Sequence, residues 1–266
     1  MCDSSENLVD ASNNSGLVKK IWQTWIINKI PPKAIKPYLS WNCNKGWKRE
    51  LKSDADIHAY VKEHFPSLYP TYMSLPFGVM RADIWRYCVT YMEGGLYTDL
   101  DTTCLKLVDK WIPKNAKFVV SGEAGTQLLC QWTFYAAPKS YIMKRIIEIM
   151  QHRLRKKLNI FNHMVHFYTG PTVFTLGIVT AIKELLIMNG HKRLAKMVTS
   201  SVLRKVCLLS PKHPLRMFLV KNGIYILRSG VFEDLYVKHH YGGDRWTGGG
   251  YVPWKVVKNR AIGQSR

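Results

Sequence analysis

Two aspartates one residue apart, Asp99 and Asp101, stand directly behind the run Leu96-Tyr97-Thr98 in a chain of 266 residues. Carboxylates on alternate residues can both be brought to bear on one divalent cation and on the diphosphate it binds. Hard ions such as Mg²⁺ and Mn²⁺ take oxygen ligands of this kind and complete their shell with phosphate oxygens and water. An Asp-x-Asp pair alone is most often a pair of solvated turn residues. Here Gly94-Gly95 would stop a preceding helix, so the pair falls at the tip of a short apolar strand. Ligands in open α/β sheets bind at such C-terminal strand ends. Asp83 and Arg86 lie three apart on the expected helix and share a face, either as a ligand-binding pair or as a helix ion pair.

The elements that must position these residues are legible as periodicity. Residues 17–22 alternate and β-branch like a first strand, and Ser53 or Asp54 can cap a helix whose apolar positions Ile57, Tyr60, Val61 and Phe65 end before Pro66. A helix is expected over residues 78–92, with Met80, Ile84, Tyr87, Cys88 and Tyr91 on one face, followed by a strand at 96–99. Further strands are expected at 118–121, 202–209 and 225–227, and helices at 141–157 and 171–188. Gln131-Trp132 reads as a strand edge. Strand and helix alternate through the first half, which predicts an α/β sheet with covering helices. Residues 1–16, rich in Ser, Asn and Asp, predict a mobile tail, and the glycine-rich residues 241–251 predict a loop folding over a ligand.

Composition bounds the function classes. Thirty-nine Lys and Arg against 18 Asp and Glu give a net charge of +21, a field that draws in anions. Nucleic acid, an anionic membrane, an acidic glycan or a nucleoside diphosphate would each answer to it. The basic run at 152–157 has the character of a solvated helix face and no nucleic-acid fold signature accompanies it, so no specific nucleic-acid partner is expected. With 47% apolar residues the chain is far from a disordered composition. The six cysteines, Cys2, Cys43, Cys88, Cys104, Cys130 and Cys207, lack Cys-x-x-Cys spacing, and free thiols are expected. The polar N-terminus has no signal-peptide core. The apolar run at 173–188 is interrupted by Lys183 and Glu184 and reads as a core helix, so a cytoplasmic or membrane-peripheral protein is expected.

Arg81-Ala82-Asp83-Ile84-Trp85-Arg86-Tyr87 and Glu93-Gly94-Gly95-Leu96-Tyr97-Thr98-Asp99-Leu100-Asp101 resemble the Asp-x-Asp region of glycosyltransferase family 32. That family includes α-1,6-mannosyltransferases and inositolphosphoceramide mannosyltransferases, and its core is similar to that of the large clostridial glucosylating toxins. Ile21-Trp22-Gln23-Thr24-Trp25 resembles the family's first strand, with Trp22 where a His is usual. Thr169-Gly170-Pro171 matches a family turn, and the segment from His239 to Trp246 resembles the C-terminal one, with Gly243-Asp244-Arg245-Trp246 in place of Gly-Ser-Trp.

The resemblance implies a single GT-A-type nucleotide-sugar-binding domain over residues 17–266, with a mixed central sheet flanked by helices. It implies retaining transfer of a hexose from a UDP- or GDP-sugar, with Mn²⁺ or Mg²⁺, to a glycan or lipid-linked hydroxyl, and leaves room for peripheral membrane contact. Asp101 would ligate the metal directly. Asp99 would hold the donor ribose or sugar and help the metal through water. Asp83 and Arg86 would bind the donor sugar, Gln131-Trp132 would make polar contact near it, and His240, or its neighbour His239, would be the third metal ligand. Trp25 would stack on the base through its flat indole, although a core tryptophan fits as well. Trp246, with Arg245, would close on the diphosphate. The rival readings are a basic nucleic-acid-binding protein and a catalytically inactive glycan-binding relative.

Overall fold

Tyr97 and Leu96, side by side on a four-residue strand, face opposite sides of a sheet that is buried on both, and this sets the layering. The computed structural model describes residues 16–155 and 165–240. Residues 1–15 of the expected tail, the glycine-rich loop with Arg245 and Trp246, and the last two positions of the helix expected at 141–157 lie outside the described residues.

The strands are β1 (Lys20–Thr24), β2 (Lys48–Lys52), β3 (Gly95–Thr98), β4 (Thr102–Cys104), β5 (Phe118–Gly122), β6 (Leu129–Ala136), β7 (Ile224–Leu227) and β8 (Val237–His239). Six form one mixed sheet in the order β2-β1-β3-β6-β5-β7, and β4 pairs with β8 apart from it. β1 runs parallel to β2 and β3, β6 runs antiparallel to β3 and β5, and β7 is parallel to β5. The early helices are α1 (Ile35–Ser40), α2 (Asp54–His64), α3 (Tyr69–Met73) and α4 (Gly78–Glu93). The later ones are α5 (Tyr141–Arg155), α6 (Pro171–Met188), α7 (Lys192–Met197), α8 (Ser200–Lys205), α9 (Pro214–Lys221) and α10 (Ser229–Leu235).

On one face, Trp22, Tyr97, Phe118 and Phe134 pack with Ile84 and Trp85 of α4, Ile146 of α5 and Phe174 of α6. On the other, Ile21, Leu96, Val119 and Tyr135 pack with Trp41, Trp47, Trp111 and Phe232. The α2 start is a capping box in which Ser53 and Asp56 satisfy each other's backbone N–H groups. The helical stretch Val165–Met188, which adds a π-turn before α6, is long and apolar enough by composition to cross a bilayer. Inside this fold it is a core helix. Its Gly177 lies so close to α5 that a Cβ there would meet Ile146 Cγ1 at 2.5 Å.

Two sequence expectations fail. Residues 202–209, expected as a strand, are α8 and the 3₁₀ turn Val206–Leu208. Leu203 and Val206, three apart, are the buried positions there, and the Thr199 side chain caps the start, so helical spacing overrides the β-branched composition. The strand-edge reading of Gln131-Trp132 also fails, because β6 lies inside the sheet between β3 and β5. The five described cysteines are free thiols.

The helix-to-strand turn ahead of the acidic pair depends on two glycines at positive φ, Gly94 (71°) and Gly95 (108°). A Cβ on Gly95 would stand 2.8 Å from the Lys20 carbonyl oxygen and 3.1 Å from Trp22 Nε1. That indole instead donates to the Gly94 carbonyl at 2.8 Å, so Trp22 clamps the turn from the neighbouring strand. Gly95→Ala combines a disfavoured φ with overpacking and should lower the unfolding free energy by roughly 2–4 kcal/mol. Urea denaturation measures this directly, and a change below about 0.5 kcal/mol, the level of a neutral surface substitution, would show that the turn tolerates a side chain.

Candidate active site

β3 delivers Asp99 and Asp101 to the end of the sheet at which the parallel strand β1 also finishes. Ile21 pairs with Leu96 and Trp22 with Tyr97, so Thr24 and the half-buried Trp25 leave β1 on the Asp99 side. The turn after β3 is tied down from all directions. The Asp99 N–H donates to the Trp132 carbonyl at 2.8 Å, and the Asp99 carbonyl accepts from Thr102 Oγ1 at 2.6 Å and from Gln23 Nε2 at 3.4 Å. A chain of hydroxyls, Thr133–Thr98–Thr102, with 2.7 Å at each step, lies beneath it. Such over-determination holds the two carboxylates on fixed backbone.

Arg86 reaches this turn from α4. Its Nη2 lies 3.2 Å from Asp83 Oδ1 and 3.3 Å from Asp99 Oδ1, its Nη1 donates to the Gln131 carbonyl at 3.2 Å, and its guanidinium carbon sits 4.4 Å from the Tyr97 ring centroid. Asp83 also accepts from Thr169 Oγ1 at 2.9 Å, and Asp99 from the Tyr97 hydroxyl at 2.6 Å. Burial pushes the Asp83 carboxyl up to about 6, with Arg86 pulling the other way. Burial likewise raises Asp99, again opposed by Arg86. For Arg86 burial favours the neutral form, but the Asp99 charge and its other neighbours outweigh it, leaving the guanidinium still more basic than usual.

The third group at the acidic pair is His239. β8 pairs with β4 so that His239 stands opposite Thr102, and its Nε2 lies 3.2 Å from Asp101 Oδ1 and 3.9 Å from Asp99 Oδ2. The ligand atoms of Asp99, Asp101 and His239 all fall within 4.8 Å of one another. The structure brings His239 rather than His240 to the pair. Neighbouring side chains at a strand end point to opposite sides, and His240 Nε2 instead sits 2.8 Å from Thr103 Oγ1, exposed. The His239 ring stacks on Trp132 at 4.7 Å with 5° between the planes. Burial pulls its pKa down, but the hydrogen bond and charge of Asp101 prevail, so it ends above the usual histidine value.

Two carboxylates and an imidazole form a donor set suited to a divalent ion such as Mn²⁺. Among the described residues, Gln23 Oε1, Arg86 Nε and Trp132 Nε1 are buried without hydrogen-bond partners, and all three residues touch this acidic group. Buried polar atoms without partners at one place fit a ligand-binding site.

Sequence reasoning missed several contributors. Tyr97, two residues before Asp99 on one strand face, could have been found by period two. Gln23 and Glu123 carried no signal. Glu123 has its carboxyl pushed up by burial, accepts from Thr126 Oγ1 at 3.0 Å, and is close enough to His239 to feel its charge. Gln131, which was left open, donates from Nε2 to the Thr169 carbonyl at 3.1 Å and to the Tyr87 hydroxyl, joining the Thr-Gly-Pro turn to the site. Two cations, Lys20 and Arg81, have structural partners. Lys20 pairs with Glu93 at 2.7 Å and Arg81 Nη1 donates to the Leu75 carbonyl at 2.6 Å.

Residues 17–118 match the family model described as the glycosyltransferase sugar-binding region containing the DXD motif. Residues 17–118 are thus similar to the sugar-binding region of family 32-type glycosyltransferases. It is 28% identical over 196 residues to an initiation-specific alpha-1,6-mannosyltransferase of Schizosaccharomyces pombe, covering 62% of this chain and 49% of that protein. It is 33% identical over 129 residues to inositol phosphoceramide mannosyltransferase 1 of the same yeast, covering 48% of this chain and 37% of the relative. The chain thus spans about half, or less, of the length of these relatives. Among solved structures the PaToxG glycosyltransferase superposes with a TM-score of 0.53 at 17% identity, covering 78% of this chain and 85% of that one, which shows a shared fold.

The Arg86 cluster yields a stability test. Arg86→Met leaves Asp83 and Asp99 facing each other without a countercharge, and should cost about 3–5 kcal/mol of unfolding free energy, as expected when one partner of a buried pair is removed. Chemical denaturation of the variant checks it. A loss below about 1 kcal/mol would mean that the cluster is already neutral by protonation.

Proposed function

We propose that this chain is a metal-dependent, retaining hexosyltransferase that uses a nucleoside diphosphate sugar and a glycan or lipid-linked hydroxyl acceptor, with residues 17–266 as its transferase domain. The observation that carries this reading is the convergence of Asp99, Asp101 and His239 at the end of β3, inside the matched sugar-binding region. Asp101, Asp99 and His239 would hold the divalent cation. Bound there, a cation supplies charge to the departing diphosphate, which develops negative charge as the glycosidic bond breaks. Asp83 and Arg86 fix the donor sugar by hydrogen bonds to its hydroxyls, oriented by Thr169 on one side and Gln131 on the other. Trp25, at the end of β1, offers its indole to the base.

The relatives' names, an initiation-specific alpha-1,6-mannosyltransferase and an inositol phosphoceramide mannosyltransferase, support transfer of a hexose, and the second supports a lipid-linked acceptor. The surface after β1 supports contact with a membrane periphery. Ile26, Ile27, Ile35 and Leu39 are 48%, 54%, 43% and 51% exposed and alternate with Lys29, Lys33 and Lys36, an amphipathic composition suited to anionic headgroups. No specific nucleic-acid partner belongs to this reading.

The Asp101→Asn protein tests it, assayed with radiolabelled sugar nucleotides and Mn²⁺ for transfer and for donor hydrolysis without acceptor. Loss of one metal ligand should cut both by roughly 10²-fold or more, on the scale of losing one transition-state charge stabiliser. Wild-type hydrolysis in the variant would defeat the metal assignment. Failure of the wild-type protein to release sugar from any donor would leave only a glycan-binding relative.

A further inference from the structure

Cys43 and Cys104 are 61 positions apart, yet their sulfurs stand 3.8 Å from each other. The 3₁₀ turn Trp41–Cys43 and the strand β4 are already docked at this point. The Trp41 indole donates to the Thr102 carbonyl at 2.9 Å, the Cys104 N–H donates to Ser40 Oγ at 2.8 Å, and the Val108 N–H donates to Asn44 Oδ1 at 2.7 Å. Asn44 Nδ2 stands beside both thiols, 3.4 Å from Cys43 Sγ and 3.3 Å from Cys104 Sγ. A disulfide needs about 2.05 Å between sulfurs, so the two thiols, already 3.8 Å apart, have only a short approach left to make. The two partners are unequal. Cys43 is exposed and open to an oxidant, whereas Cys104 is buried at the end of β4, where desolvation pushes its thiol up to about 12.

We infer that Cys43 and Cys104 form a reversible disulfide that staples the Trp41–Cys43 turn to β4. The strand concerned matters. β4 follows the acidic turn directly and carries β8, which in turn sets His239 opposite Thr102. With a glutathione-type disulfide as oxidant, the Cys43 thiolate attacks one glutathione sulfur, forming a mixed disulfide and releasing one glutathione thiolate. The Cys104 sulfur, surrendering its proton to solvent, then attacks Cys43 Sγ and expels the second thiolate. Two protein thiols are oxidised and one glutathione disulfide is reduced to two thiols. The staple closes a long loop, so it acts mainly by restricting the unfolded chain. It does not depend on the proposed transferase activity.

The test incubates the full chain with oxidised glutathione, quenches with iodoacetamide, and maps non-reduced peptides by mass spectrometry alongside thermal melting. The expected result is a Cys43–Cys104 linked peptide and a Tm higher by roughly 5 °C or more, reversed by dithiothreitol. Cys43→Ser, and as a second variant Cys104→Ala, should lose both the linkage and the Tm shift. Recovery of Cys43 as a stable glutathione adduct beside an unlinked Cys104 would overturn the inference. So would a linked protein that melts at or below the reduced one.

Discussion

Asp83 on α4 and the pair Asp99 and Asp101 in the turn after β3 bring three carboxylates together that would repel each other, and the structure rests on how that charge is met. Arg86 meets part of it by standing between Asp83 and Asp99, while His239 faces Asp101. The compensation of Asp83 is local, three residues along one helix, whereas that of Asp99 and Asp101 is not. Arg86 comes from α4, two turns before the glycine pair, and His239 from the far end of the described chain. A divalent ion at the same place would add positive charge among groups that already lack it, which is why a metal site and a folded turn are compatible here. The order of elements follows from the same need. α4 must end abruptly and reverse into β3, and the glycine pair clamped by Trp22 permits that reversal.

The parts of this arrangement that were legible in the sequence are those with short-range causes. The capped helix α2, α4 with its glycine stop, β3 and the start of α6 all follow from periodicity and turn chemistry within a dozen residues. The i, i+3 relation of Asp83 and Arg86 was also visible, and the fold places them in one buried pair. What could not be read was set by register between distant strands. His239 and His240 differ only in which side of β8 they occupy, and that is fixed by the pairing of Thr102 with His239, 137 residues downstream in chain order. Gln131 and Trp132 looked like an edge because antiparallel insertion of β6 between β3 and β5 leaves no mark in local composition. The 202–209 segment misled for the opposite reason, its β-branched residues being overruled by packing of Leu203 and Val206.

The resemblance to family 32 and the geometry address different questions. Matching motifs identify the sugar-binding region, while the coordinates show what physically joins them. The Thr-Gly-Pro turn is tied to the aspartate region through Thr169 on Asp83, and through Gln131 and Tyr87 on the Thr169 carbonyl. Trp22, which departs from the usual histidine, has a structural role of its own as the donor that closes on Gly94. The fold is shared with the PaToxG glycosyltransferase at 17% identity.

The central claim is that Asp99, Asp101 and His239 together hold a cation that a donor's diphosphate also meets. Crystals soaked with Mn²⁺ and a nucleoside diphosphate, measured for anomalous scattering, test it most directly. The account predicts a manganese peak within bonding distance of Asp101 and His239, with diphosphate density against it and His240 still on Thr103. A peak ligated by His240, or a diphosphate bound with no metal at this turn, would contradict it.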